Sequence, residues 1–150
     1  MTKRTRPSAI ELLQFIEAYL SLGFARGCVV FLPFRYVAPL LGRAVQESPS
    51  CTGDLRNDVK RAIERSAYRT PWRSNCLAQS LAATWMMRRR GHHVTTYMGV
   101  RRDENGGIIA HSWTMAGEAF LTGKRGHELY TVTKKFTTVT IKEKSHFTMI

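Results

Sequence analysis

A chain of 150 residues is long enough to bury a hydrophobic core and has the size of one domain. Its hydrophobic fraction of 43% and aromatic fraction of 10% exclude an intrinsically disordered protein. The net charge of +12 favours an acidic partner, such as a peptide, a nucleic acid or a membrane surface. The three cysteines are an odd number without metal-type spacing, which argues against a disulfide framework.

The amino-terminal segment, residues 8–32, is predicted to form a helix that is buried most of the way round, because its polar stripe is narrow. Glu11 and Glu17 interrupt the apolar region that a signal peptide needs and make the segment a poor membrane span. We therefore expect a cytoplasmic protein without a membrane span. The apolar positions are Ile10, Leu13, Phe15, Ile16, Tyr19, Leu20, Leu22 and Phe24.

The next segments contain clear breaks. Pro33 and Pro39 interrupt the apolar sequence "FLPFRYVAPLLGR". The stretch "ESPSCTGD" is predicted to be a loop, and Asp54 suits the N-cap of a second helix that ends near Tyr68. No internal repeat is present.

A third helix is predicted to begin at Cys76 and to end before Gly91. Ser74 or Asn75 can cap its first turn, and Gly91 suits a left-handed C-terminal position. The basic run 88–90 suits the negative end of the helix dipole. The sequence therefore places Cys76 in a first helical turn.

A cysteine in a first helical turn has two interpretations. The positive end of the helix dipole stabilises a thiolate there, which suits a nucleophile. Most such cysteines are nevertheless simply packed as small hydrophobic residues. Cys28 lies inside an apolar helix and Cys51 in a loop, and for both we expect only packing.

The second half of the chain changes to the period of β-strands. The runs "HVTTYMGVR", "IIAHSWTM", "EAFLT", "ELYTVT" and "FTTVTI" are predicted strands, and Ala116 with Gly117 is predicted to form a two-residue hairpin loop. Helices followed by strands predict an α+β fold with an antiparallel sheet. We expect a single domain over residues 1–150, with a helical part at 1–70 and a catalytic helix plus antiparallel strands at 71–150.

Cys76 and His111 together suit thiol hydrolase chemistry. A thiolate attacks a carbonyl carbon, and an imidazole removes the thiol proton and later protonates the leaving amine. The two residues are 35 positions apart, so only the fold can bring them together. A single histidine on a strand is more often structural, and the pair alone does not decide the function.

The segment from Cys76 to Gly123 resembles the leader peptidase of lasso-peptide biosynthesis, a transglutaminase-like cysteine protease that forms a stand-alone subunit of the split B protein. The resemblance lies in the order and spacing of short motifs, and the amino-terminal apolar helix with "LPFRYVAPLLGR" extends it over nearly the whole chain. The motifs are Cys76-Leu77, Arg90-Gly91, Gly99-Val100, Ala110-His111-Ser112-Trp113 and Gly117.

This resemblance implies a transglutaminase/papain-like core whose Cys-His-Asp site removes the leader from a ribosomally made precursor. Cys76 is then the nucleophile and His111 the base. The implied partners are the lasso precursor peptide, a small leader-binding protein and the lasso cyclase. No cofactor-binding motif is evident, although the resemblance implies that processing is linked to ATP. The apolar helix from Ile10 to Phe24 is a candidate docking surface for the leader-binding protein.

The third residue of the site departs from the family pattern. A hairpin loop at 116 and 117 would place His111 opposite Thr122, near the position of the family's acid. A threonine hydroxyl can orient an imidazole but supplies no charge. The sequence therefore predicts a dyad with Thr122 as a weak orienting group, or an acid supplied from elsewhere.

Other patterns in the sequence bear on alternatives to a peptidase. The stretch "GEAFLTGKR" is not a phosphate-binding loop, because five residues separate its glycines and no Ser or Thr follows Lys124. The histidines at 92, 93, 127 and 146 lack ligand spacing, so no metal site is expected. The basic segments "RTPWR" and "MMRRRGHH" would suit nucleic acid, but a solvated basic face is favoured. A non-catalytic scaffold on a degenerate thiol-protease fold stays the other alternative.

Overall fold

The computed structural model describes residues 6–42, 53–70 and 75–138. Four helices precede four strands, so the predicted α+β class is confirmed. The elements are α1 (Ala9–Phe31), α2 (Phe34–Leu41), α3 (Gly53–Arg69), α4 (Cys76–Arg89), β1 (Thr95–Arg102), β2 (Ile108–Ala116), β3 (Ala119–Thr122) and β4 (Thr131–Thr137), with a 3₁₀ turn at His127–Leu129.

The strands form one antiparallel sheet in the order β3-β2-β1-β4. Strands β1 and β2 pair along their full length, with Gly99 opposite His111. The predicted runs "ELYTVT" and "FTTVTI" are not two strands in the described part of the chain, because a 3₁₀ turn precedes the single strand β4. Residues 139–141 of the second run lie outside the described residues.

The β2–β3 hairpin differs from its predicted register. Ala116 pairs with Ala119, so the loop consists of Gly117 and Glu118 and not of residues 116 and 117. Gly117 has a φ of 61° and no described non-glycine residue has a positive φ, which fits a turn that needs glycine at its first central position. A bulge between Thr114 and Met115 shifts the pairing once more. The predicted pairing of residues 111 and 122 is therefore wrong.

Helix α4 begins and ends as its sequence predicts. The Asn75 side chain accepts a hydrogen bond of 2.9 Å from the Ala78 amide, whereas Ser74 lies outside the described residues. At the other end, His92 donates to the Met87 carbonyl and Gly91 donates to Arg88, with Gly91 at a φ of 76°. This pair of bonds is a Schellman motif. Both ends of the helix carrying Cys76 are thus fixed by local hydrogen bonds.

Helix α4 lies between α1 and α3 on one side and the sheet on the other. Its apolar contacts are supplied by buried residues such as Leu81 and Met86. The contact with the sheet also contains buried hydroxyls: Ser80 and Ser112 are hydrogen-bonded at 3.2 Å. Ser80 lies one turn after Cys76, and Ser112 follows His111. The hydroxyl pair therefore joins the two elements that carry the predicted catalytic residues.

Helix α1 occupies the predicted span, but its predicted burial is wrong. Its buried side is made of Ala18, Leu22, Ala25 and Cys28, whereas most of its large apolar side chains face outward. The physical reason lies in Glu17, whose carboxylate is turned toward the C-terminus of α4 and pairs with two arginines there. The expected polar stripe thus faces partly inward.

Helix α1 also has the composition of a membrane-crossing helix. Its mean hydropathy is 1.2 over 18 residues, of which 17% are buried. A core helix or an amino-terminal signal sequence has the same length and composition, so this property by itself is weak evidence for a membrane.

Helix α3 differs slightly from its predicted bounds. Asp54 lies in the first turn of α3 and not before it, and α3 extends to Arg69.

Candidate active site

A cavity of about 710 Å³ opens where the N-terminus of α4 meets β2 and the loop after β3. Cys76 and His111 both line it, so the fold brings the predicted nucleophile and base to one site. Gln79, one turn along α4, and Gly123, just after β3, also line the cavity. Thr122, the third residue that the sequence singled out, lines the same cavity.

Cys76 is the first residue of α4 and is half-buried. The first helical hydrogen bond of α4 runs from the Gln79 amide to the Asn75 carbonyl. The amides of Cys76 and Leu77 therefore precede the intrahelical bonds, as the first amides of any helix do. Cys28 is buried in α1 and Cys51 lies outside the described residues.

The His111 ring is held by a main-chain acceptor. Its Nε2 lies 2.8 Å from the carbonyl oxygen of Gly123. A carbonyl oxygen can only accept, so Nε2 carries the hydrogen and donates it, and in the neutral ring Nδ1 keeps its lone pair. The ring also contacts Tyr130, with centroids 5.0 Å apart, and Trp113 at 5.8 Å. Orientation and tautomer are thereby both specified.

Gly123 can approach β2 only because it lacks a side chain. Its φ is 71°, in the left-handed region that favours glycine. A Cβ at this position would collide with the Ser112 carbonyl oxygen and would lie 2.8 Å from the Trp113 Cβ. The glycine therefore lets the chain after β3 cross close to β2 beside His111.

A second glycine makes room for the ring that packs on His111. Gly99 lies opposite His111 on β1, and a Cβ there would lie 2.8 Å from the Tyr130 Cβ and 3.1 Å from the Trp113 ring. A side-chain hydrogen bond with Tyr130 raises the pKa of Arg101 above its ordinary value, and the guanidinium lies over the Tyr130 ring. Tyr130 is thus fixed between a cation and the imidazole.

Thr122 does not have the position that the sequence predicted. It pairs with Thr114, and its buried Oγ1 has no hydrogen-bond partner among the described residues. The orienting contact to His111 comes instead from the Gly123 carbonyl. The predicted Thr122–His111 contact is therefore wrong, and a main-chain oxygen occupies the role expected of the missing acid.

A family model described as the transglutaminase-like superfamily matches residues 19–135, which include both Cys76 and His111. The chain belongs to the transglutaminase-like superfamily. This superfamily includes cysteine proteases and transglutaminases, and the fold of the chain is compatible with cysteine peptidase activity. No curated protein and no solved structure matches the chain.

The rim of the cavity in this transglutaminase-like chain has charges of both signs. Lys60, Lys124 and Arg125 lie near Glu64 and Glu128, and the Glu128 carboxylate is 3.1 Å from the Nδ1 of His127. Within the described ranges no group of three or more His, Cys, Asp or Glu side chains could hold a metal ion. The cavity therefore combines a thiol, an imidazole and main-chain polar groups with charged side chains of both signs.

Sequence reasoning missed two parts of this site. The Gly123 carbonyl is a main-chain group, and no residue pattern identifies one carbonyl as an acceptor. The contact of Tyr130 with His111 depends on how β4 and β2 flank β1, which the sequence does not show. Gly99, a glycine inside a predicted strand, was a sequence signal of a close approach at that position.

Proposed function

We propose that this chain is a cysteine peptidase that removes the leader peptide from a ribosomally made lasso-peptide precursor. The observation that carries the proposal is that Cys76 and His111 line one cavity in a transglutaminase-like chain. The lasso assignment rests on the motifs around these residues, from Cys76-Leu77 to Ala110-His111-Ser112-Trp113, in their order and spacing.

The reaction begins at the thiol. His111 Nδ1 takes the Cys76 proton, and the thiolate attacks the carbonyl carbon of the scissile peptide bond. The amides of Cys76 and Leu77 are the nearest main-chain donors for the oxyanion that forms. The tetrahedral intermediate collapses, the C–N bond breaks, and His111 gives its proton to the leaving amine.

Hydrolysis of the resulting thioester completes the cycle. His111 Nδ1 takes a proton from a water molecule, whose oxygen attacks the thioester carbonyl. The C–S bond then breaks, releasing the leader with a free carboxylate and restoring the Cys76 thiol. Through both halves the Gly123 carbonyl accepts from Nε2, so the ring keeps one orientation whether neutral or protonated.

The chain is proposed to act with a small leader-binding protein and with the lasso cyclase. Its described part has helices and one sheet, and the resemblance is to a stand-alone protease subunit. A separate leader-binding protein would raise the effective concentration of precursor at the cavity. ATP dependence belongs to the same resemblance and has no binding motif of its own in the sequence.

The test compares cysteine variants on a precursor peptide. Cys76→Ala and Cys76→Ser should abolish cleavage, because the described residues of the cavity include no second cysteine. Cys28→Ala is the matched control and should keep most of the activity. Mass spectrometry after incubation with the leader-binding partner measures the product. Full cleavage by the Cys76→Ala protein would end the peptidase proposal.

A further inference from the structure

The outer face of α1 is a long apolar surface that the described elements leave largely exposed, with one contact between the Phe24 and Trp85 rings at 5.3 Å. We name it the α1 face, and its members are between 45% and 83% exposed. At 100° per residue they share one side of the helix, and none is charged. Exposed apolar patches of this extent mark interaction sites. The α1 face consists of Leu13, Ile16, Leu20, Phe24 and Phe31.

Part of the α1 face is one wall of a groove of about 530 Å³. Leu13, Ile16 and Leu20 line it, and Glu17 of α1 with Arg89 and Arg90 at the end of α4 form its charged wall. A concave apolar groove beside a helix is the shape into which an amphipathic helix places apolar side chains at i, i+3, i+4 and i+7. The groove therefore offers apolar side chains that such a helix could contact.

Among the described residues, two arginines at the charged wall of the groove share one carboxylate. Arg90 donates two hydrogen bonds, of 2.6 and 2.9 Å, to the Glu17 carboxylate. Arg89 shares the same carboxylate at 3.3 Å. One carboxylate thus faces two guanidinium groups, and the Arg89 side chain is 71% exposed whereas that of Arg90 is 22% exposed. An occupant that carries a carboxylate at this wall would neutralise the surplus charge.

We propose that the groove binds an amphipathic helix of a partner protein, with its apolar side on the α1 face and an acidic residue paired with Arg89. The proposal goes beyond the peptidase reaction and does not depend on it. A second copy of the chain is a poorer occupant, because a two-fold interface would bring the same positively charged wall to both sides. A flat membrane surface does not fill a concave groove, and the other side of α1 is held against α3 and α4.

Two synthetic helical peptides test the proposal. Both carry the same leucine stripe, and their flanking positions are all Glu in one and all Lys in the other. Fluorescence anisotropy with the full chain should show micromolar binding of the Glu peptide and at least tenfold weaker binding of the Lys peptide. Arg89→Glu should reverse this preference, and Leu20→Gln should weaken binding of the Glu peptide at least tenfold.

Matched variants on another surface serve as controls. Ile108→Gln replaces an apolar side chain that is 75% exposed on β2, and Arg102→Glu reverses an exposed charge on β1. Both should leave peptide binding unchanged. Cys76→Ala should also bind normally, so a failed cleavage assay and a failed docking assay are distinguishable.

Five results would overturn the proposal. Equal affinity for the two peptides, or an affinity that Arg89→Glu does not change, would remove the role of charge. Absence of peptide binding would remove the site. Co-sedimentation with vesicles of phosphatidylcholine and phosphatidylserine at 4:1, lost in Leu20→Gln and not competed by the Glu peptide, would assign the face to a membrane. A dimer in sedimentation velocity that Leu20→Gln dissociates would assign it to a second copy.

Discussion

Replacing Gly123 by alanine tests whether a main-chain carbonyl orients the proposed base. No side-chain deletion can remove that carbonyl, so the backbone itself must be displaced. The alanine Cβ would lie 2.8 Å from the Trp113 Cβ, whereas ordinary contacts begin at 3.4 Å. The loop must therefore move away from β2 by at least about 0.6 Å, because the Ser112 carbonyl oxygen is closer still. The 2.8 Å hydrogen bond from His111 then lengthens beyond the usual N–H···O range.

The expected loss follows from the value of that hydrogen bond. A hydrogen bond to a charged group contributes about 1.5–3 kcal/mol, and the His111 ring is an imidazolium while the leaving amine is protonated. At 1.36 kcal/mol per factor of ten, turnover should fall roughly 10-fold to 150-fold. An alanine at a φ of 71° also costs about 1–2 kcal/mol of folding stability.

Two other glycines separate the rate effect from the backbone cost. Gly91 and Gly106 have φ values of 76° and 81°, and a Cβ on either would meet no atom within 4 Å. In urea unfolding their alanine variants should lose the stability that the positive φ costs. Their cleavage rate per folded molecule should stay at the wild-type value. Cleavage is followed by mass spectrometry of the precursor from pH 5 to 9. If Gly123→Ala cleaves as fast as Gly106→Ala, the carbonyl does not orient His111.

Two stability predictions concern buried hydroxyls. Thr122→Val should be neutral or should stabilise the fold by up to about 3 kcal/mol, because it removes a buried oxygen without a partner among the described residues. A loss of stability above about 1 kcal/mol in urea unfolding would contradict this. Thr114→Val is the control and should be destabilising, since it breaks a 2.9 Å bond to Thr96. Ser80→Ala and Ser112→Ala should each lower the free energy of unfolding by about 1–3 kcal/mol. The double variant should lose clearly less than the sum of the two single losses. Strict additivity in a double-mutant cycle would show that the two hydroxyls, 3.2 Å apart, do not stabilise each other.

Helix α4 was predictable because its signals are local. Asn75 and Gly91 act within one turn of their own position, so short-range rules identify both ends of α4. The register of the β2–β3 hairpin was predicted wrongly for one local reason and one non-local reason. Gly117 belongs at the first loop position, which turn chemistry alone could have indicated. The bulge at Thr114 and Met115 depends on packing between elements, which a single strand pattern does not contain.

The burial of α1 was not predictable from its pattern. An apolar helix with a narrow polar stripe normally turns that stripe to water, yet here Glu17 turns inward to meet Arg90. The partner of Glu17 lies 73 residues away, so the ion pair is visible only in the fold. The pairing of Cys76 with His111 in one cavity was predicted from chemistry, whereas the displacement of Thr122 by Gly123 was not.

Because the acceptor of the His111 hydrogen bond is a main-chain carbonyl, it responds differently from a carboxylate to mutation and to low pH. A carboxylate partner is lost by a single side-chain substitution, whereas every residue type carries a carbonyl, so mutation at 123 can remove this acceptor only by moving the backbone. A carbonyl also does not titrate, so it continues to accept in acid where a carboxylate would be protonated. Surveys that judge such proteins by their third acidic residue would therefore class this site as inactive while its imidazole is still held in place.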